Sequence, residues 1–123
     1  APEFAVDRDV TKKWCATGTP PHEITIDLGG IKTVSGVNIS HAQAGGESPD
    51  MNTKSYVILV SEDGATFTEV KSVTRNTLDV TKDTFAPVNA RYVKVSVVKP
   101  TQGSDTAARI YEIEVYGMDG TAE

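Results

Sequence analysis

Residues 56–64 read Tyr-Val-Ile-Leu-Val-Ser-Glu-Asp-Gly, and this stretch decides the class of fold. Apolar side chains fill both sets of alternate positions from Tyr56 to Val60, which is typical of a β-strand buried on both faces. The Asp63-Gly64 pair that follows is a strong signal for a hairpin turn. The segment Phe67 to Val73 has the composition of the returning strand. The stretch therefore predicts a β-hairpin.

Further strands are predicted on both sides of this hairpin, because apolar and polar residues alternate there and turn residues separate the segments. No segment shows a sustained helical period. The predicted strands are Ile24–Leu28, Val34–Ile39, Lys54–Ser61, Phe67–Val73, Val80–Phe85, Ala90–Val97 and Ile110–Tyr116. Spacings of about 8–12 residues favour a sandwich or barrel. The sequence predicts an all-β fold, a β-sandwich jelly roll of about eight strands.

Length and charge limit the possible functions. The chain has 123 residues and a net charge of -5, which fits one domain and argues against capture of nucleic acid or anionic lipid. Cys15 is the single cysteine, so an internal disulfide is excluded. No apolar run is long enough for membrane insertion. Residues 5–118 are expected to form the domain, with 1–4 a cloning remnant and 119–123 a tail.

Two polar loops interrupt the strands. The first, Asn38–Thr53, carries His41, Glu47 and Asn52, and the second is Lys99–Ala108. A long connection orders many backbone torsions while burying little apolar surface, so such loops are usually functional. The first loop is therefore predicted to bind a ligand through its hydrogen-bonding side chains.

The N-terminal segment carries oxygen-bearing side chains at alternate positions, Asp7, Asp9 and Thr11. Calcium prefers carboxylate, hydroxyl and carbonyl oxygens from an irregular backbone, so a loop of this kind fits a hard cation. A solvated acidic turn explains the same pattern. Residue spacing leaves both interpretations open.

Four segments together resemble a known family. Ile24–Gly29, Tyr56–Gly64, Ala90–Val95 and Glu112–Gly117 follow the order and spacing seen in discoidin-like domains of the coagulation-factor C type. Within that group the chain is most similar to the family-32 carbohydrate-binding modules of bacterial glycoside hydrolases. The resemblance implies a β-sandwich with a structural calcium at one side and a shallow sugar site formed by loops at one end.

The resemblance implies specific roles for the N-terminal oxygens. In relatives, the loop before the first tryptophan and a glutamate of the last strand enclose the calcium. The matching positions are Asp7, Asp9, Thr11 and Glu112. A structural Ca2+ at these residues is therefore expected to join the N-terminal segment to the last strand.

The resemblance also implies a sugar site. His41 aligns with a histidine that galactose-type binders use, and Arg75 and Asn76 fall near an arginine and an asparagine of a neighbouring loop. Sugar hydroxyls both donate and accept, which suits imidazole, amide and guanidinium groups. The complete predicted set is His41, Glu47, Asn52, Arg75, Asn76, Asp105 and Arg109.

Five members of this set also have a second interpretation. Glu47 and Asp105 would also serve as solvated loop charges, and Arg109 would also serve in an internal ion pair. Asn76 fits a turn, and His41 fits a capping role within its own loop. The second loop contains no aromatic residue to pack against a sugar ring, so weak, shallow binding is expected.

The predicted function is a noncatalytic carbohydrate-binding module that targets a parent glycoside hydrolase to glycans through terminal galactose or N-acetylgalactosamine. The alternatives are a discoidin-type adhesion or lipid-binding domain, a module for N-acetylglucosamine or mannose, and a small glycosidase that uses Glu47 and Asp105. Carbohydrate is the expected partner, and nucleic acid is not. The domain is expected to be a monomeric module of a larger bacterial enzyme that is secreted or held at the cell surface.

Overall fold

The computed structural model describes residues 4–10 and 14–118, with side chains described from 14 to 117. Seven strands and two short 3-10 helices make up this part of the chain. The strands are β1 Phe4–Val10, β2 Trp14–Ala16, β3 His22–His41, β4 Ser55–Ser61, β5 Thr68–Val73, β6 Val80–Lys99 and β7 Ala108–Met118. The 3-10 helices are Ala42–Gly45 and Pro49–Met51. No helix in this part of the chain has the length and apolar character needed to cross a membrane.

The strands form a continuous antiparallel arrangement in the order β1-β7-β3-β6-β4-β5, and β2 also pairs with β7. The first half of β3 pairs with the second half of β6, as Ile24 does with Val95, and the second half pairs with the first, as Val37 does with Asp83. Along β6, β4 pairs with the second half alone, and along β3, β7 pairs with the second half alone. The two long strands therefore belong to two layers, as in a sandwich.

One hydrophobic core lies between the two layers. Ile26 and Ile58 come from one layer, Ile39 and Ile113 from the other, and all four belong to one buried cluster. The side chains of Ile39, Ile58 and Ile113 have no exposed surface. Burying such side chains contributes about 1.5–3 kcal/mol each. The predicted all-β sandwich is confirmed.

Strand boundaries differ from the sequence prediction because two predicted pairs of strands are continuous. Ile24–Leu28 and Val34–Ile39 both belong to β3, and Val80–Phe85 and Ala90–Val97 both belong to β6. The register of β3 shifts between Asp27 and Lys32. A bulge of this kind bends a strand without ending its pairing, whereas the sequence pattern was interpreted as a break.

The central hairpin is as predicted. β4 and β5 pair on either side of the turn, and Gly64 has a φ of 80°, which glycine adopts without strain. The Asp63 carboxylate accepts hydrogen bonds from the backbone N–H groups of Ala65 and Thr66 at 2.8 and 3.0 Å. These bonds lower the pKa of Asp63 to about 2. The turn is thus held by its own aspartate.

The N-terminal segment is the largest departure from the predicted secondary structure. The segment from Asp7 to Trp14 was predicted as a loop, but the backbone from Phe4 to Val10 forms β1 and pairs with β7. Phe4, assigned to a cloning remnant, is part of that strand. The hydrogen bonds of β1 come from residues more than a hundred positions away, so the local pattern could not reveal it. Residues 1–3, 11–13 and 119–123 lie outside the described part of the chain.

Candidate functional site

Three loops meet at one end of the sandwich. Loop A is residues 42–54, between β3 and β4; loop B is residues 74–79, between β5 and β6; and loop C is residues 100–107, between β6 and β7. We call this surface the loop end. Loops A and C correspond to the two polar loops singled out in the sequence.

Backbone hydrogen bonds join the three loops. Lys54 N–H donates to the Lys99 carbonyl at 2.9 Å, and Asn76 N–H donates to the Lys54 carbonyl at 2.8 Å. Gln102 N–H donates to the Asp50 carbonyl at 2.9 Å. Because each loop bonds to a neighbour, loop A is not the structureless connection that its composition predicted.

The side chain of Gln102 reaches two loops at once. Its amide nitrogen donates to the carbonyls of Asn52 at 2.8 Å and Asn76 at 3.1 Å. Together with the backbone bond to loop A, this places Gln102 at the junction of loops A, B and C. The sequence interpretation did not select Gln102, since nothing adjacent to it in the chain distinguishes it from an ordinary loop residue.

Asn52 and Asn76 are buried, with 0% and 6% of their surface exposed. The Asn52 side chain accepts from Gln43 N–H at 2.8 Å and donates to the Gln43 side chain at 3.2 Å. The Asn76 side chain donates to the carbonyls of Thr53 and Leu78 and accepts from Leu78 N–H. These bonds occupy the amides that were predicted to contact sugar, and so the geometry assigns both residues to holding the loops.

His41 is also inside the protein, with no exposed surface. Its Nε2 lies 2.9 Å from the Thr81 hydroxyl, and its ring is 5.6 Å from that of Tyr56. Burial lowers the pKa of His41 to about 4, while the charge of Asp79 opposes this shift. The imidazole is therefore neutral at pH 7 and does not reach the surface where a sugar would bind, in contrast to its predicted role.

Polar side chains lead from His41 toward the surface. The Thr81 hydroxyl and the Tyr56 ring both lie beside the His41 ring, and Tyr56 donates through a short bond to the Asp83 carboxylate. Burial, then the bond to Asp83, raises the pKa of Tyr56. These contacts hold the rings of His41 and Tyr56 in position behind loop B.

Arg109 joins the two acidic residues that were predicted to contact sugar. Its guanidinium lies 3.3 Å from Glu47 and 3.1 Å from Asp105. Tyr111 donates to Glu47 at 2.6 Å, and a Cβ added at Gly45 would lie 2.1 Å from the Tyr111 ring. The structure thus brings Glu47, Asp105 and Arg109 together, as an ion-pair network between loops A and C.

Two grooves open at the loop end. The loop B groove has a volume of about 460 Å³ and is lined by Tyr56, Val73, Arg75, Asn76, Thr77, Leu78, Thr81, Lys82 and Asp83. The A–C groove, about 360 Å³, is lined by Asp50, Met51, Thr101, Gln102, Gly103, Ser104 and Asp105. Both volumes are within the range of small-molecule sites, which starts at about 300 Å³.

Arg75 is the predicted sugar-binding residue whose side chain remains available. It is exposed and lines the loop B groove, and it has no hydrogen-bond or ion-pair partner among the described residues. Leu78 lines the same groove with 59% of its surface exposed. A guanidinium and an apolar side chain thus face solvent side by side.

A sequence model of the F5/8 type C domain matches residues 1–113. The chain belongs to this family.

Solved structures with the same fold include several carbohydrate-binding modules. The family 32 module of Streptococcus pneumoniae EndoD is 29% identical, with a TM-score of 0.78 over 89% of this chain and 80% of that chain. The family 32 module of AlyQ, in complex with 4,5-unsaturated mannuronic acid, is 28% identical, with a TM-score of 0.70 over 86% and 78%. No curated protein sequence gave a match.

A more distant module shares the fold. The family 32 module of Clostridium perfringens NanJ, in complex with galactose, is 23% identical, with a TM-score of 0.73 over 92% of this chain and 82% of that chain. The predicted discoidin-like, family-32 resemblance is therefore confirmed at the level of family and fold.

The predicted calcium ligands of this F5/8 type C domain are only partly described. Thr11 lies outside the described residues, as do the side chains of Asp7 and Asp9. The β1–β7 register places Asp9 opposite Glu114 and Val10 opposite Ile113, so β1 runs toward Glu112. The Glu112 carboxylate makes no hydrogen bond or ion pair with the described residues. Among those residues no group of three acidic, histidine or cysteine side chains is placed to hold a metal.

Residues outside the predicted set also shape the loop end of this F5/8 type C domain. His22 is 8% exposed, and its Nε2 lies 2.8 Å from the Thr106 carbonyl in loop C. Leu78 and Lys82 line the loop B groove. A leucine among polar loop residues is a signal that the sequence alone contains, and it could have indicated Leu78. The position of Lys82 in the groove depends instead on how β6 and loop B are placed relative to each other.

Proposed function

We propose that this domain is a noncatalytic carbohydrate-binding module, accessory to a secreted bacterial glycoside hydrolase, that holds a terminal sugar of a glycan in the loop B groove. The observation that carries the proposal is that one groove holds exposed Leu78 together with Arg75, whose guanidinium has no hydrogen-bond or ion-pair partner among the described residues. The similarity to family 32 modules at 28–29% identity supports it.

A sugar presents an apolar C–H face and a set of hydroxyls. Leu78, 59% exposed, supplies apolar area in place of the aromatic ring that the second polar loop lacks. Arg75 supplies hydrogen-bond donors, and its charge strengthens bonds to hydroxyl oxygens. One leucine buries less area than an aromatic ring, so the expected affinity is modest.

The ties among the loops contribute by ordering the groove before the sugar arrives. Asn76 lines the groove and is bonded to the carbonyls of Thr53 and Leu78. A surface that is already ordered loses less conformational entropy on binding. The buried amides therefore support recognition indirectly.

The noncatalytic part of the proposal is supported by the environment of the carboxylates. A glycosidase needs one carboxylic acid with a raised pKa and a second carboxylate at a defined separation. Glu47 and Asp105 instead share Arg109. The Ala107 N–H, and then Arg109, lower the pKa of Asp105, which disfavours the protonated form that a general acid requires.

Titration calorimetry tests the proposal with a matched pair of apolar variants. Leu78→Ala is expected to weaken binding of the preferred sugar about tenfold or more, because burying a leucine side chain is worth about 1.5–3 kcal/mol. Ile31→Ala is the control, since Ile31 is 56% exposed at the bend of β3, away from the loop end. It should leave the affinity unchanged.

The sugar panel contains galactose, N-acetylgalactosamine, N-acetylglucosamine and mannose, because the resemblance predicts a galactose-type sugar and leaves the other two as alternatives. If both Leu78→Ala and Ile31→Ala bind like the wild type, the sugar site lies elsewhere. Absence of binding to any sugar would refute the proposed function. Hydrolysis of a chromogenic glycoside by the purified chain would refute its noncatalytic part.

We also propose a structural calcium held by Asp7, Asp9, Thr11 and Glu112. The pairing of β1 with β7 supports this set, because it brings the N-terminal segment beside the strand that carries Glu112. The Glu112 carboxylate, which has no partner among the residues that the structure describes, is a suitable ligand for a hard cation. Bound there, the ion would join the N-terminal segment to the last strand.

A further inference from the structure

Charged side chains are distributed unequally among the grooves of this acidic protein. In the A–C groove the charged residues are Asp50 and Asp105. A third groove, beside the Asp63-Gly64 turn at the other end of the sandwich, contains Glu62 and Asp63. Both grooves are lined by carboxylates and by no cation. A neutral or cationic molecule would suit them better than an anion.

The loop B groove has the opposite character. Arg75 and Lys82 both line it and both are exposed, and neither has a carboxylate partner among the described residues. Three other cations do have such partners: Arg91 pairs with Asp27, Lys94 with Glu23, and Arg109 with Glu47 and Asp105. The loop B groove thus combines two cations that have no carboxylate partner among the described residues, in a chain with a net charge of -5.

The acidic side chain of the loop B groove is already engaged. Asp83 accepts a short, partly buried hydrogen bond from the Tyr56 hydroxyl, so one of its carboxylate oxygens already has a partner inside the protein. Asp79 belongs to loop B but does not line the groove. The two cations therefore outnumber the single lining carboxylate, and an incoming anion would meet a positive local charge.

From this distribution we infer that the loop B groove recognises an acidic sugar, a uronic acid whose carboxylate is held by Arg75 and Lys82. Arg75 supplies a planar fork that matches a carboxylate, and Lys82 supplies a second positive charge. Leu78 packs against the C–H face of the same ring. The inference rests on the proposed function and specifies the class of sugar for that site.

Two pairs of sugars that differ in the carboxylate test the inference: galacturonic acid against galactose, and glucuronic acid against glucose. The methyl ester of galacturonic acid adds a neutral compound of similar size. Calorimetric titrations at low and at about 0.5 M salt give the dissociation constants. We expect at least one acid to bind about tenfold tighter than its neutral partner and its preference to shrink at high salt, because exposed charge contacts are screened.

Charge-removing variants locate the effect. Arg75→Gln and Lys82→Gln are each expected to bring the ratio of the two dissociation constants close to one. Lys32→Gln, at the bend of β3, changes the net charge of the chain by the same amount and should leave the ratio unchanged. This control separates contact in the groove from the electrostatic field of the whole protein.

These experiments have three outcomes that would count against the inference. If the neutral sugars or the methyl ester bind as tightly as the acids, the preference for acidic sugars is refuted and the proposed function stands. If the preference persists in both groove variants, the carboxylate binds elsewhere and the inference is refuted. If neither neutral nor acidic sugars bind, the inference fails together with the proposed function.

Discussion

His41 is the residue whose environment differs most from its predicted role. It ends β3, and its backbone N–H donates to the Asp79 carbonyl at 2.7 Å. Its Nδ1 is buried with no hydrogen-bond partner among the described residues. A charged imidazole would need a partner or solvent there, so the folded protein holds His41 neutral.

The burial of His41 predicts a dependence of stability on pH. The pKa of His41 is about 4 in the folded protein, against the ordinary histidine value of 6.5, so the unfolded chain binds a proton first as the pH falls. The contribution of the neutral ring to the free energy of unfolding is complete above about pH 6.5 and should decrease by about 3 kcal/mol between pH 6.5 and pH 4.

Urea denaturation at intervals from about pH 7.5 to about pH 4.5 measures this loss, and His41→Gln should remove most of it. Because His41→Gln also alters packing, the NMR titration of the His41 ring in the wild type gives an independent reading. Protonation of that ring near pH 6.5 would contradict the assignment.

The three loops of the loop end stabilise one another through a small number of side chains. Gln102 donates to loops A and B, Asn52 and Asn76 bond within and between those loops, and Arg109 joins Glu47 to Asp105. The bonds of Gln102, Asn52 and Asn76 satisfy polar groups that are buried or partly buried, and such a group left without a partner costs about 1–3 kcal/mol. The ion pairs of Arg109 are more exposed to solvent. The loops are therefore expected to open together.

Replacement of Gln102 tests this coupling. Gln102→Met keeps the length of the side chain but removes the donors to the Asn52 and Asn76 carbonyls, so the free energy of unfolding should fall by about 1–3 kcal/mol. Amide hydrogen exchange should become faster in loops A and B as well as in loop C.

Ser104→Ala is the matched control, since Ser104 is an exposed residue of the same loop and its side chain makes no hydrogen bond with the described residues. It should behave like the wild type. Faster exchange confined to loop C in Gln102→Met would show that the loops open independently.

At the scale of the whole molecule, β7 connects the two ends of the chain. It pairs with β1, β2 and the second half of β3, so the N-terminal segment packs against the last strand. A calcium ion bound there would favour the folded state in proportion to its concentration relative to its dissociation constant.

Chelation is therefore expected to lower the melting temperature of the wild type. At a free calcium concentration of about a hundred dissociation constants the ion would add about 2.7 kcal/mol, which corresponds to a shift of several degrees. The double variant Asp7→Ala, Glu112→Ala should melt at one temperature with and without chelator. Added calcium, but not magnesium, should restore the wild type; equal sensitivity of the wild type and the double variant would exclude this site.

Local patterns were sufficient to predict the class of fold. Alternation around Tyr56–Gly64 marks a hairpin whatever its surroundings, since side chains on a strand point to opposite faces by geometry. The same alternation predicted the segments that form β3, β6 and β7. It did not predict that β3 and β6 each continue as one strand past a bend, because bulges and turns contain the same types of residue.

The site was predictable only in part. The same types of hydrogen-bonding side chain occur in residues that hold a loop in place and in residues that bind a ligand, so the sequence does not separate the two roles. The sequence singled out the polar segments that form loops A and C, and it named Arg75, whose side chain is exposed and whose role in sugar binding stays a prediction. Burial decided that His41, Asn52 and Asn76 support the loops, and distant pairing brought Arg109 between Glu47 and Asp105.

The sequence by itself determined the all-β fold, the family and the loops that form the loop end, because these depend on period and order along the chain. Tertiary structure alone decided which polar side chains are buried, that Gln102 joins three loops, and that Arg75 and Lys82 share one groove. The physical reason is that burial and charge proximity depend on residues brought together from distant parts of the chain, and no local pattern records them.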